Sequence, residues 1–94
     1  MMPYQLIYTN SFKKDLRLAK KRNYDMKKME EVLTLLKSGE KLPRKYKDHQ
    51  LKGNLSKFRE LHIQPDWLLI YTKNDTELIL TLSRTGSHTE LLKK

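Results

Sequence analysis

The chain has no cysteine, three glycines and three prolines, and eleven acidic residues against twenty basic ones in its 94 positions. Without cysteine there is no disulfide, no thiolate metal site and no thiol nucleophile. That usage suits a reducing compartment, and a cytoplasmic location is expected. The glycines form no phosphate-cradling loop, and neither Gly-x-Ser-x-Gly nor His-Glu-x-x-His occurs. A nucleotide-cofactor site and an acyl-transfer triad are thereby excluded. The longest apolar run, Trp67 to Tyr71, is far too short to span a bilayer. The first eight residues hold no basic segment followed by an apolar one, so no secretory signal is expected. Repeats and linkers are absent, and the length fits one domain over residues 1–94 that buries about 65% of its unfolded surface.

What is abundant is positive charge. The formal net charge is +9, and it is concentrated. Residues 13–28 carry eight basic and two acidic side chains, and residues 41–59 carry seven and one, a net +6 in each stretch. One such stretch is compatible with a solvated face; two on so small a domain point to a polyanionic partner. The candidate RNA- or ribosome-binding residues are Lys13, Lys14, Arg17, Lys20, Lys21, Arg44, Lys45, Lys47, Lys52 and Lys57. No membrane partner is expected.

The hydrophobic pattern gives the fold class. Tyr4, Leu6 and Tyr8 alternate as a short strand. Asn10-Ser11 offers a helix cap, and Phe12, Leu16 and Ala19 recur at helical spacing, predicting a helix over 11–22. Asn23-Tyr24 breaks it. Asp25 caps a second helix to residue 38, with a stripe of Met29, Val32, Leu33 and Leu36, and Gly39 supplies the left-handed end. Residues 40–56 read as a basic loop with a short strand near 50–52. Strands follow at Phe58–Gln64, Trp67–Lys73 and Glu77–Ser83, the last two joined by a turn at Asn74-Asp75. Ser87-x-x-Glu90 is a capping box that predicts a short closing helical turn. The order β-α-α-β-β-β is an α+β fold: a small antiparallel sheet with two N-terminal helices on one face. The expected core includes Phe12, Leu16, Met29, Val32, Leu33, Leu36, Leu61, Ile63, Leu69 and Leu80. Phe58, Glu60, His62 and Gln64 should line the open face.

Three histidines, His49, His62 and His88, all flank that sheet. Imidazole titrates near neutrality, so two rings on either side of a phosphodiester can remove one proton and deliver another. Their spacings of 13 and 26 residues match no standard zinc signature, and no metal site is expected. Asp66 is a lone acid beside Trp67, able to orient a histidine or act as a base. Arg84 offers a fork matching phosphate oxygens. It shares the parity of Leu78, Leu80 and Leu82, so a bulge, or the end of the strand near Ser83, is required before it can face the open side. RNA carries its own nucleophile, the 2′-OH, and asks of a protein only a base, an acid and a cation.

Three segments carry a family resemblance: Tyr46-Lys47-Asp48-His49-Gln50-Leu51-Lys52-Gly53, Arg59 through Tyr71, and Arg84-Thr85-Gly86-Ser87-His88. Together they resemble bacterial type II toxins of the RelE superfamily, most closely its YafQ-like branch, over nearly the whole chain. The resemblance implies the same β-α-α-β-β-β fold and ribosome-dependent cleavage of mRNA. It also implies a cognate acidic antitoxin of the DinJ or RelB type; the chemistry read from the residues calls for no cofactor. It places the catalytic set on His49, His62, Asp66, Arg84 and His88. His88 is then the general acid, His49 or Asp66 the base, His62 a phosphate-positioning group and Arg84 a phosphate clamp. Where relatives carry an aromatic that contacts a base, this chain has Leu92. A non-catalytic RNA- or ribosome-binding module of the same fold explains the charge equally well, but not the histidine set.

Overall fold

The computed structural model describes residues 3–92, the side chain of Leu92 excepted. The expectation about a base contact at Leu92 therefore lies outside the described side chains. The elements run β1 (Gln5–Tyr8), α1 (Asn10–Lys21), α2 (Met26–Ser38), β2 (His49–Gln50), β3 (Phe58–Gln64), β4 (Trp67–Asn74), β5 (Ile79–Gly86) and α3 (His88–Leu92). Short 3-10 turns occupy Arg44–Tyr46 and Gly53–Leu55.

Both long helices start where a side chain accepts an otherwise unpaired N–H. Asp25 caps α2 through the N–H of Lys27, as read from the sequence. The cap of α1 is Thr9 rather than Asn10 or Ser11, and the reason is tertiary. Its Oγ1 accepts from the Phe12 N–H at 3.1 Å and lies 2.9 and 3.1 Å from the Leu82 and Ser83 carbonyls, to which its hydroxyl proton donates. Asn23 takes a positive φ between the helices, and Gly39 ends α2 at φ 77°.

The sheet order is β1-β5-β4-β3-β2. It is mixed rather than wholly antiparallel, because β1 pairs with β5 in parallel. The helical hairpin carries the chain from β1 to the far edge, and the β3-β4-β5 meander then walks back. Three antiparallel turns of the chain bring β5 alongside β1 in the same direction. Alternation records which face a residue occupies, not the direction of its neighbour.

The core lies between the helices and one face of the sheet. Phe12, Val32, Leu61, Leu69 and Leu82 are fully enclosed, each contributing about 1.5–3 kcal/mol of transfer free energy. Leu16 and Leu33, expected inside, are half-buried against that cluster. Trp67 packs edge-on against Tyr24, and its indole N–H donates to Thr85 Oγ1 at 2.9 Å. Thr85 in turn donates to the Leu68 carbonyl at 2.7 Å.

The last strand runs beyond Ser83 to Gly86, because its ladder slips. Ile70 lies opposite Arg84, and Tyr71 opposite Leu82, so Ser83 is an extra residue. This is the bulge that Arg84 needs to leave the core side. No helix among the described residues is long and apolar enough to cross a membrane.

Candidate active site

Residues directly opposite on neighbouring strands share a face. The pairings His49↔Glu60, Glu60↔Ile70 and Ile70↔Arg84 therefore make one row across four strands of the open face. His62↔Leu68↔Gly86 makes the next row. His88 begins α3 two residues past Gly86. The topology thus collects three histidines from the second half of the chain: the ring centroids of His49 and His62 are 6.5 Å apart, and those of His62 and His88 are 5.9 Å apart.

Each ring has its Nδ1 against an oxygen that can only accept: the Lys47 carbonyl at 2.7 Å for His49, the Pro65 carbonyl at 3.4 Å for His62, and Asp66 Oδ1 at 2.6 Å for His88. In each case Nδ1 is the donor, and Nε2 is the nitrogen left for chemistry. Glu60 sits between two of them, its Oε1 3.5 Å from His49 Nε2 and 3.8 Å from His62 Nε2.

Asp66 occupies the two-residue turn between β3 and β4 with Pro65. Its Oδ1 accepts both the backbone N–H of His88, at 3.0 Å, and the ring Nδ1–H. The backbone hydrogen bond from His88, reinforced by its ring, holds the Asp66 carboxyl below its usual value of 3.8. The base proposed for the 2′-OH is therefore better sought at His49 than at this already occupied, more acidic carboxylate.

Arg84 is half-exposed and not free. Its Nε and Nη2 donate to the two carboxylate oxygens of Asp15 on α1, at 2.7 and 3.2 Å. The same Asp15 Oδ2 accepts the Thr85 N–H at 3.0 Å, beside the bulge. The pair with Asp15 raises the guanidinium above its ordinary value. One edge of the fork is thereby fixed, and Nη1 makes no hydrogen bond among the described residues.

Two further supports set the histidines in place. Asp48, next to His49, accepts from Arg59 at 2.9 Å and from the Tyr71 hydroxyl. Neighbouring residues of a strand point to opposite faces. This network lies on the helix side, behind the row that holds His49, Glu60 and Arg84, and it anchors a strand only two residues long. Under α3, Ser87 and Glu90 form the reciprocal capping box, at 2.7 and 3.1 Å. The Glu90 carboxylate also meets Tyr24 and Arg22 from the helical hairpin.

The sequence pointed to His49, His62, Asp66, Arg84 and His88, and the fold brings the three rings and Asp66 together, with Arg84 along the same face. Glu60 and Asp15 were missed as members. Glu60 alternates onto the open face, which was visible, but an isolated acid there reads as solvated. Asp15 lies 69 positions from Arg84, and no local pattern links them. The candidate polyanion-binding residues Lys13, Lys14, Arg17, Lys20, Lys21, Arg44, Lys45, Lys47, Lys52 and Lys57 are all exposed. Among the described residues no group of three or more His, Asp or Glu side chains is arranged to hold a metal ion.

A small basic α+β domain with imidazoles and carboxylates on one open sheet face belongs to a class suited to meet a polyanion and to offer it groups that exchange protons. The family model for the bacterial toxin of the type II toxin-antitoxin system, YafQ, matches residues 4–93, and the chain belongs to that family. The mRNA interferase toxin YafQ of Escherichia coli K12 is 40% identical over 92 residues, covering 97% of this chain and 98% of that one. In the crystal structure of the E. coli DinJ-YafQ toxin-antitoxin complex, a matching chain superposes with a TM-score of 0.86 at 40% identity, covering 95% of this chain and 97% of that one. A metal-bound toxin from Helicobacter pylori gives a TM-score of 0.86 at 42% identity, covering 94% and 98%.

Proposed function

We propose that this toxin is an mRNA interferase that cuts mRNA in the decoding site of the 70S ribosome, in the cytoplasm, and that a cognate acidic antitoxin restrains it. The observation that carries the reading is the presentation of three Nε2 atoms on one open face, each set by an acceptor at Nδ1. Two rings can then do acid and base work in one step, and the third can hold the phosphate between them. The 40% identity to an mRNA interferase supports the substrate class.

The chemistry balances without a cofactor. His49 Nε2 takes the proton of the ribose 2′-OH as its oxygen attacks phosphorus. Glu60, 3.5 Å away, stabilises the imidazolium that forms. His62 and the remaining N–H groups of Arg84 stabilise the charge on the phosphorane oxygens. The bond from phosphorus to the 5′-oxygen breaks as His88 Nε2 gives that oxygen a proton, with Asp66 holding the ring from behind. The products are a 2′,3′-cyclic phosphate and a 5′-hydroxyl. The exposed lysines and arginines of residues 13–21, with Arg44, Lys52 and Lys57, contact ribosomal RNA phosphates, while Lys45 and Lys47 stand beside His62 and meet the mRNA.

The test is the chemistry of the ends made on programmed ribosomes. A 5′-hydroxyl that a kinase labels without prior phosphatase treatment is the expected result. A 5′-phosphate with a 3′-hydroxyl on its partner fragment overturns the mechanism.

A further inference from the structure

A cavity of about 590 Å³, lined in part by Tyr4, Arg44, Asp48 and Tyr71, holds none of the histidines. A second cavity, of about 380 Å³, does reach one: it is lined by Lys28 and Glu31 of α2, Lys45 and Lys47 of the loop after it, and His62 and Gln64 of β3. Its size is in the range of small-ligand sites. It lies along the outer edge of β3. There β2 stops opposite Glu60, so no strand pairs with that edge of β3 from Leu61 to Gln64. His88 approaches His62 from the other side, the side of β5.

Resting on the mRNA-cleavage reading, we infer that this cleft is the subsite for the nucleotide on the 5′ side of the scissile phosphate, and that it selects a base bearing an exocyclic amine. If His88 protonates the 5′-oxygen of the downstream nucleotide, the upstream nucleotide leaves past His62 toward the outer edge of β3. Lys28, Lys45 and Lys47 are exposed around the cleft and match a phosphodiester there. Glu31 is the acid among them. It repels a phosphate and accepts from an amine such as cytosine N4 or adenine N6. The Gln64 amide pairs with the Watson–Crick or Hoogsteen edge of a base splayed out of a single strand. Uracil has no exocyclic amine: its Watson–Crick donor is the single ring N3–H, and the carbonyl oxygens on either side of it repel the Glu31 carboxylate.

The experiment is single-turnover cleavage by the intact protein on ribosomes programmed with a set of mRNAs differing only at that nucleotide. Wild type is expected to discriminate against uracil by about tenfold, the lower end of what one good polar base contact gives. Glu31→Gln is expected to shrink that discrimination at least threefold, and Lys45→Ala to raise the half-saturating concentration with the saturated rate unchanged. Both side chains are exposed, so both variants fold. Cleavage by wild type with unchanged base preference and saturation in both variants overturns the subsite while leaving the mRNA reading intact. If Lys45→Ala weakens binding to vacant ribosomes as much as to programmed ones, the cleft contacts ribosomal RNA and the inference fails. A wild-type protein that cuts none of the mRNAs removes the reading and the subsite together.

Discussion

The ring Nδ1 and the backbone N–H of His88 converge on one oxygen, Oδ1 of Asp66, at 2.6 and 3.0 Å. The ring and the start of α3 are thus tied to the same turn between β3 and β4. Rotation of the imidazole breaks the ring bond, and displacement of the helix start breaks both. A ring so held keeps Nε2 over the open face.

His88→Ala removes an exposed ring and leaves the backbone bond to Asp66. Stability should change by no more than about 0.5 kcal/mol, as for ordinary surface changes. Cleavage should fall at least about a hundredfold, the scale of a lost general acid. Thermal unfolding and single-turnover cleavage on programmed ribosomes measure the two. A near wild-type rate assigns the acid elsewhere.

Asp66 gives a pH prediction. Its carboxyl is held below 3.8 by the His88 backbone N–H first and the ring second. A depressed folded value stabilises the fold above the unfolded value, and that contribution disappears as pH falls through the folded one. At neutral pH the tie is complete, so loss of Asp66 ionisation cannot explain any decline in activity between pH 7 and about pH 5. A carbon-13 titration should place its midpoint below 3.8 in wild type. In His88→Ala it should move only partway back, since the backbone donor remains.

Tyr71 reports on the network behind His49. Burial, and then the hydrogen bond to Asp48, push its phenol well above the usual 10.0. A raised folded value stabilises the protein fully below 10.0, and the contribution is lost as pH rises beyond that. Wild type should lose stability steadily above pH 10, and Tyr71→Phe should lose it less steeply. Tyr4, raised by its hydrogen bond to Asp75, shares this alkaline limb and will remain in the variant. At neutral pH Tyr71→Phe should cost about 1.5–3 kcal/mol, the scale of a hydrogen bond to a charged acceptor. Urea unfolding between pH 7 and 11 is the measurement.

Much of this architecture can be read locally. The α2 stripe of Met29, Val32 and Leu36 and its Asp25 cap lie within one helix, and local pattern suffices for both. The strand alternation likewise placed His62 and Glu60 on the open face. Arg84 marked the limit. Its parity conflicted with a phosphate-facing role, and only the pairing of Ile70 with Arg84 and Tyr71 with Leu82 locates the extra residue at Ser83. The parallel β1–β5 pair, the Thr9 cap and the Asp15–Arg84 pair each join segments about seventy positions apart. Sequence periodicity carries no information at that separation. β2 has two residues and no period, and the Asp48 network that secures it is visible only in three dimensions.

Gly86 is the close contact under α3. It sits at φ 159°, and a Cβ there would lie 3.0 Å from Glu90 Oε1 and 3.4 Å from Glu90 Cβ. Gly86→Ala should therefore push the Glu90 carboxylate off the Ser87 N–H and loosen α3, at a cost of about 1–3 kcal/mol. His88 rides on that helix, so cleavage should fall more than stability alone explains. Amide exchange at Ser87 and Leu91, read beside single-turnover cleavage, separates the two effects. Unchanged protection at both amides would show that α3 does not depend on this contact.

The charge distribution predicts how the antitoxin arrives. Residues 13–28 and 41–59 carry a net +6 each, and the rest of the chain sums to −3, which leaves the net +9. Fields from exposed charges decay over about 8 Å at physiological ionic strength, so attraction operates before contact only in dilute salt. The association rate with the cognate acidic antitoxin should therefore fall at least about tenfold from low to high salt, with a much smaller change in the dissociation rate. Lys13→Glu, Lys14→Glu and Arg17→Glu, combined on the exposed side of α1, should reproduce most of that drop at low salt. Steering acts on the encounter, whereas the close contacts of the finished complex set its lifetime. Stopped-flow association across a salt series, for wild type and the triple variant, reads both rates. An association rate that ignores salt would mean that the two basic stretches serve the ribosome alone and that the antitoxin docks through apolar contacts.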